Sequence, residues 1–176
     1  SGLVAGVADM AQLGRQAIWD ELQAAQRQDQ FGGGPGRVPL EVTVCTGSYN
    51  VPGWTFALGV FVNEANPIGE LSVQQLDGIF GSERRGGWIG LEWDSAIGRG
   101  SDRNIRTWGQ AGLTGEWARR PINVYGYNLN FHFPDEFAKK VFGGGRKWNE
   151  QLRDYANDVV DGKLFVAGDQ MMRDLA

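Results

Sequence analysis

The chain of 176 residues has a single cysteine, Cys45, and a single histidine, His132. One thiol excludes an internal disulfide and a cysteine-built metal centre, and one histidine beside it leaves a transition-metal site without its usual ligands. Positive charge is in the minority. The 17 Lys and Arg against 21 Asp and Glu give a net charge of −4, which argues against a nucleic-acid binder, since such proteins gain affinity by neutralising phosphates. No apolar run approaches the ~20 residues of a membrane span, so the chain is not itself membrane-spanning by this reading. No signal peptide is visible, as expected of a mature chain from which one has been removed. There is no internal repeat.

Glycine and tryptophan are plentiful, with 27 and 7 residues. This composition predicts many bends pinned by large aromatic anchors rather than long regular elements. Hydrophobic residues at 41% suffice for a folded core. The apolar spacing of Ile18, Trp19, Leu22 and Ala25 predicts an amphipathic helix over 16–30, closed by the connector Phe31-Gly-Gly-Gly-Pro-Gly36. Strands are predicted at 40–46, which would bury Cys45, and at 55–62, the latter apolar enough to be covered on both faces. A turn at Gly47, Asn50, Pro52 and Gly53 separates them. Leu71-Ser-Val-Gln-Gln-Leu76 has the form of a helix start, with Ser72 and Gln75 as a reciprocal capping box and Leu71 against Leu76 as a staple. That helix is expected to run to Phe80 and stop at Gly81.

Residues 82–120, with Trp88, Trp93, Trp108 and Trp117 among glycines and charges, predict an irregular excursion. The pairs Arg84-Arg85 and Arg119-Arg120 read as solvated turns. A strand is expected at 122–125, a helix at 134–142 ended by Gly143-Gly-Gly145, a further helix at 148–160, a strand at 164–167, and a helix from Asp169. Strand and helix alternate, which implies α/β layers with some parallel sheet.

Ala57-Leu-Gly-Val-Phe-Val-Asn63, then Asn66-Pro67, then Leu71-Ser-Val-Gln-Gln-Leu-Asp-Gly-Ile-Phe80 resembles the phosphate ABC transporter substrate-binding protein family. Thr107-Trp108 with Gly112 and Pro121-Ile-Asn-Val-Tyr125 continue the likeness, and Gly6-Val-Ala-Asp9 through Gly14-Arg15 is similar to the family's first-lobe segment. The resemblance implies a type II periplasmic-binding-protein-like α/β fold, two small lobes with a cleft, the first lobe incomplete. It places part of the first lobe at 1–60, the second lobe at 61–170 with the excursion 82–120, and the start of a return segment at 171–176. It further implies a periplasmic or extracytoplasmic solute-binding protein, with ABC transporter membrane subunits as partners, no cofactor and no metal.

In that family an oxyanion is held by Arg, hydroxyls and amides at a helix N-terminus. By resemblance Asp9, Gly14 and Arg15 would hold the ligand from the first lobe. Arg15 brings the rigid donor fork suited to an oxyanion, and to a structural carboxylate equally. In the second lobe the family's Arg position falls on Tyr127 and its Ser-Gly-Thr on Phe131, His132 and Phe133, so the usual hydroxyl donors are replaced by rings. Asp135 and Glu136 follow in the first turn, where they suit the helix dipole but would repel an incoming anion. An aromatic cluster filling the lobe interface is the competing reading of these residues, and a ligand-less scaffold serving as a protein interaction module the competing reading of function. Thr46-Gly47-Ser48 offers either a small anion nest or a plain turn. No spacing suggests a Ser-His-Asp triad, and nothing places Glu92, Asp94 and Glu116 across a sugar. The chain is therefore expected to bind a small ligand, phosphate or another oxyanion, and not to be an enzyme.

Overall fold

A computed structural model of the chain describes residues 10, 17–27, 40, 42 and 58–176. Asp9, Gly14, Arg15, Cys45, the Thr46-Gly47-Ser48 turn, the connector at 31–36, most of the strand expected at 40–46 and residues 55–57 of the strand expected at 55–62 lie outside the described residues. The chain divides into two compact units, one of residues 1–58 and 88–94, the other of 59–87 and 95–176.

In the first unit, α1 spans Trp19–Gln26. Its start is closed by the Glu21 carboxylate, which accepts from the Ile18 amide at 3.0 Å, and Ala25 is buried. The unit's residues 88–94 carry all but the first residue of the hairpin in which β1 (Gly87–Ile89) and β2 (Glu92–Asp94) pair through the turn at Gly90 and Leu91.

The second unit is built around α2, Val73–Phe80. Its predicted start is realised: the Ser72 hydroxyl accepts from the Gln75 amide at 3.2 Å, and the Gln75 side chain accepts from the Ser72 amide at 2.9 Å. The helix buries Ile79 against Ala111, Ile122 and Val124, with Leu71, Phe80, Ile105, Trp108 and Leu152 packed around them. Gly78 permits this approach, because a Cβ there would lie 2.8 Å from the Arg103 carbonyl oxygen and from Ile105.

The carbonyls at the end of α2 have no partners within the helix and must find them elsewhere. Arg106 Nη1 donates to Gly78 O at 2.7 Å and its Nη2 to Gly81 O at 3.1 Å. Asn149, itself buried, gives its side-chain amide to Ile79 O and its backbone amide to Phe80 O, both at 2.8 Å. The excursion over 82–120, expected to be irregular throughout, carries the β1–β2 hairpin and is otherwise irregular, with 3₁₀ turns at Ser101–Arg103 and Gly115–Arg119.

Three expectations are corrected. Residues 58–62 form no strand, and Phe61 is largely exposed; an apolar run pairs only where a neighbouring strand takes up its amides. The strand expected at 122–125 forms as β3, Tyr125–Tyr127, parallel to β4, Arg153–Tyr155. Ile122 and Val124 instead serve as core side chains, since the ladder starts only where Arg153 N reaches Val124 O, at 2.9 Å.

The helix expected at 148–160 does not exist. Asn149 is committed to the end of α2, and its Oδ1 accepts from Gln151 N at 3.0 Å, turning the chain. Then follow β4 and an antiparallel hairpin of β5 (Asp158–Val160) with β6 (Lys163–Phe165). Asp161 and Gly162, at φ 51° and 74°, make its turn. The helices α3, His132–Val141, and α4, Ala167–Leu175, complete the unit. Among the described residues no helix is long and apolar enough to cross a membrane.

Candidate functional site

The loop from β3 into α3 is set by Asn128. Its backbone amide donates to Tyr155 O at 2.8 Å and its side-chain amide to the Asp154 carboxylate at 2.7 Å, so β4 holds it in place. Its Oδ1 accepts from Asn130 N at 3.1 Å, and its carbonyl accepts from Phe131 N at 2.9 Å. This local closure is the turn chemistry that asparagine supplies. It delivers Phe131 as the extended residue preceding α3, with φ −82° and ψ 161°. The helix starts two residues earlier than expected, so His132 and Phe133 occupy its first turn with Pro134, which brings no N–H of its own.

The fold brings Tyr127, His132 and Phe133 together. The Tyr127 and Phe133 ring centroids are 4.8 Å apart and tilted by 34°; those of His132 and Phe133 are 3.9 Å apart. All three residues and Phe131 are half-buried. From the other side α4 closes on Tyr127, whose phenol oxygen would sit 3.4 Å from a Cβ placed on Gly168. Because Asp9, Gly14 and Arg15 are not among the described residues, the assembled group is the second half of the predicted set.

The acidic first turn is less repulsive to an anion than its residue types imply. Asp135 is buried and pairs with Arg146 at 3.0 Å, and Glu136 pairs with Lys139 at 2.8 Å. Each carboxylate of α3 thus has a cation beside it, which offsets its field over the distances that matter to a ligand.

Sequence reasoning missed the largest polar structure of the unit. Asp77, on the last turn of α2, accepts both fork nitrogens of Arg84 at 2.8 and 2.6 Å and Arg99 Nε at 2.9 Å. Both guanidinium groups are buried, which corrects the reading of Arg84 as part of a solvated turn. Nearby, the fully buried Ser82 hydroxyl lies 3.0 Å from Glu83 Oε2 and 2.7 Å from Glu150 Oε1. The Asn104 side-chain amide, with backbone donors and Ser82, holds the Glu83 carboxyl down to about 2, and the Ser82 hydroxyl lowers that of Glu150. Burial lowers the Arg106 guanidinium from its ordinary value. The adjacent Arg84-Arg85 pair was the only sequence signal, and no pattern tied it to Asp77.

A groove of about 530 Å³ lined by Ile68, Gly69, Glu70, Gln75, Ala111 and Gly112 contains none of the predicted site residues, and Glu70 makes it a poor seat for an anion. Among the described residues no three His, Cys, Asp or Glu are grouped to hold a metal ion.

Helices mixed with short strands, a parallel β3–β4 pair and a strand-to-helix loop ringed by aromatic side chains make an α/β protein whose candidate site lies at a helix start. No protein-family model matches the chain. Over 126 residues, 72% of its length, the chain is 32% identical to the phosphate-binding protein PstS of Pseudomonas aeruginosa, in each of two strains. It spans about 30% of the length of these relatives. The chain is a divergent relative of the phosphate-binding proteins. Its mixed helix and strand content is compatible with their α/β fold.

Proposed function

We propose that this chain is part of a periplasmic or otherwise extracytoplasmic solute-binding protein that holds phosphate, or another small oxyanion, in a cleft between two lobes for an ABC uptake system. The observation that carries the reading is the 32% identity to PstS over 126 residues. In this reading Arg15 supplies the forked donor and Asp9 accepts a ligand proton or steadies its loop, with Gly14 giving the backbone room to approach. From the other side the positive end of the α3 dipole faces the anion. The Tyr127 phenol and the His132 imidazole replace the lost hydroxyl donors, and Phe131 and Phe133 keep water from competing. The membrane subunits of the transporter are the partner, and the protein is a binding component rather than an enzyme.

Calorimetric titration of the protein with phosphate, sulfate and chloride tests this. Phosphate is expected to bind and to raise the melting temperature, because a ligand that prefers the folded state stabilises it. Arg15→Ala is expected to weaken binding by about 10- to 100-fold, as loss of charge-assisted bonds does. No heat and no thermal shift with phosphate at millimolar concentration would sink the proposal.

A further inference from the structure

We propose that Asp161-Gly162, at the tip of the β5–β6 hairpin, is a self-modification site at which Asp161 converts to isoaspartate, while the fold protects the chain's other Asp-Gly pair, Asp77-Gly78. Asp-Gly occurs at these two places and Asn-Gly nowhere in the chain. Such a pair is open to attack by the following amide nitrogen on the side-chain carboxyl, because glycine brings no Cβ to screen that nitrogen.

At the hairpin tip nothing restrains the reaction. Asp161 and Gly162 are exposed, and a Cβ at Gly162 would meet no atom within 4 Å. No hydrogen bond or ion pair holds the Asp161 carboxylate among the described residues. Val159 and Leu164, opposite each other across the ladder, are 64% and 63% exposed, so opening the tip uncovers little apolar surface. The base of the hairpin is tied instead: Ala167 N donates to Asn157 Oδ1 at 2.9 Å, and Gln170 Nε2 to Ala156 O at 3.1 Å and Phe165 O at 3.2 Å.

At Asp77 each requirement is blocked. Its carboxylate accepts both Arg84 fork nitrogens and Arg99 Nε, so Cγ is not free to turn toward the backbone. Gly78 is buried in α2, where its N–H is directed along the helix axis. The same dipeptide thus sits in two opposite settings.

The reaction consumes nothing. The Gly162 nitrogen bonds to Asp161 Cγ, and a carboxyl oxygen leaves as water with the displaced amide proton. Water then opens the succinimide: breaking the N–Cγ bond restores aspartate, and breaking the bond from nitrogen to the Asp161 main-chain carbonyl carbon leaves isoaspartate. The main chain gains a methylene inside a two-residue turn, so the Val160–Lys163 pairing is lost.

The chain is aged at neutral pH and physiological temperature in heavy-oxygen water. Isoaspartate is located by digestion, electron-transfer fragmentation and methylation with isoaspartyl methyltransferase. Isoaspartate and heavy oxygen are expected at residue 161 at least about tenfold faster than at 77, and the two sites to converge to within about threefold in urea, because the gap is one of local opening. Asp161→Asn is expected to pass through the same succinimide with loss of ammonia, giving the same isoaspartate to aspartate ratio faster; Asp161→Glu is expected to give no product at 161. The proposal is overturned if residue 77 keeps pace with 161 in the folded chain, if isoaspartate forms at 161 only after unfolding, or if the gap persists in urea, which would assign it to the flanking sequence.

Discussion

At Asp77 a single carboxylate collects the Arg84 fork and Arg99 Nε, with its own backbone carbonyl accepting from Arg99 Nη2 at 2.9 Å. Asp77→Ala leaves two buried guanidinium groups without their counter-charge, and is expected to cost about 3–5 kcal/mol. Urea unfolding read by tryptophan fluorescence measures it, and a loss below ~1 kcal/mol contradicts the assignment. Ser72→Ala removes one acceptor from the start of α2 and is expected to cost about 1 kcal/mol. The two positions differ in legibility. The Ser72–Gln75 pair is local, three residues apart, and was read directly from the chain. The clamp joins Asp77 to Arg99 across 22 residues, and no local rule carries that pairing.

The β5–β6 hairpin shows how a helix expectation fails. Trp148, Leu152 and Tyr155 have near-helical spacing, but Asn149 is taken by the carbonyls of α2, and Val159-Val160 followed by Asp161-Gly162 supplies a stronger local alternative. An Asp-Gly pair suits a turn with two positive φ angles, and that signal was available in the sequence. Gly162→Val meets no neighbouring atom at Cβ, so its cost is backbone strain alone at φ 74°, about 1–2 kcal/mol. Hydrogen exchange is expected to quicken at β5 and β6 while α2 keeps its protection. Equal quickening at α2 would mean that the hairpin opens only with the whole unit.

For the molecule as a whole, stability should form a plateau bounded by two titrations. The Glu83 carboxyl is held at about 2 against its usual 4.5, chiefly by the Asn104 side-chain amide, and Glu150 is lowered by Ser82. A lowered carboxyl stabilises the fold above its unfolded value and loses that contribution as pH falls, here from about 4.5 toward 2. Tyr155 is raised from 10.0 to about 12 by burial and by its bond to Asp174 at 2.5 Å. Its contribution is complete below pH 10 and is lost as pH rises toward 12. Melting temperatures by circular dichroism are expected to fall in both windows, and a Glu83→Gln, Glu150→Gln double variant to flatten the acid limb; an unaltered acid limb assigns it to other carboxylates. Residue order alone carried the mixture of helix and strand, the α2 start and the likeness to phosphate-binding proteins, because propensity, capping and motif spacing are local properties. Folding was needed to seat Tyr127, His132 and Phe133 together, to bury Arg84 and to turn 148–160 into strands. Those outcomes depend on which distant carbonyl, carboxylate or strand edge arrives beside each group, and short-range spacing does not encode that.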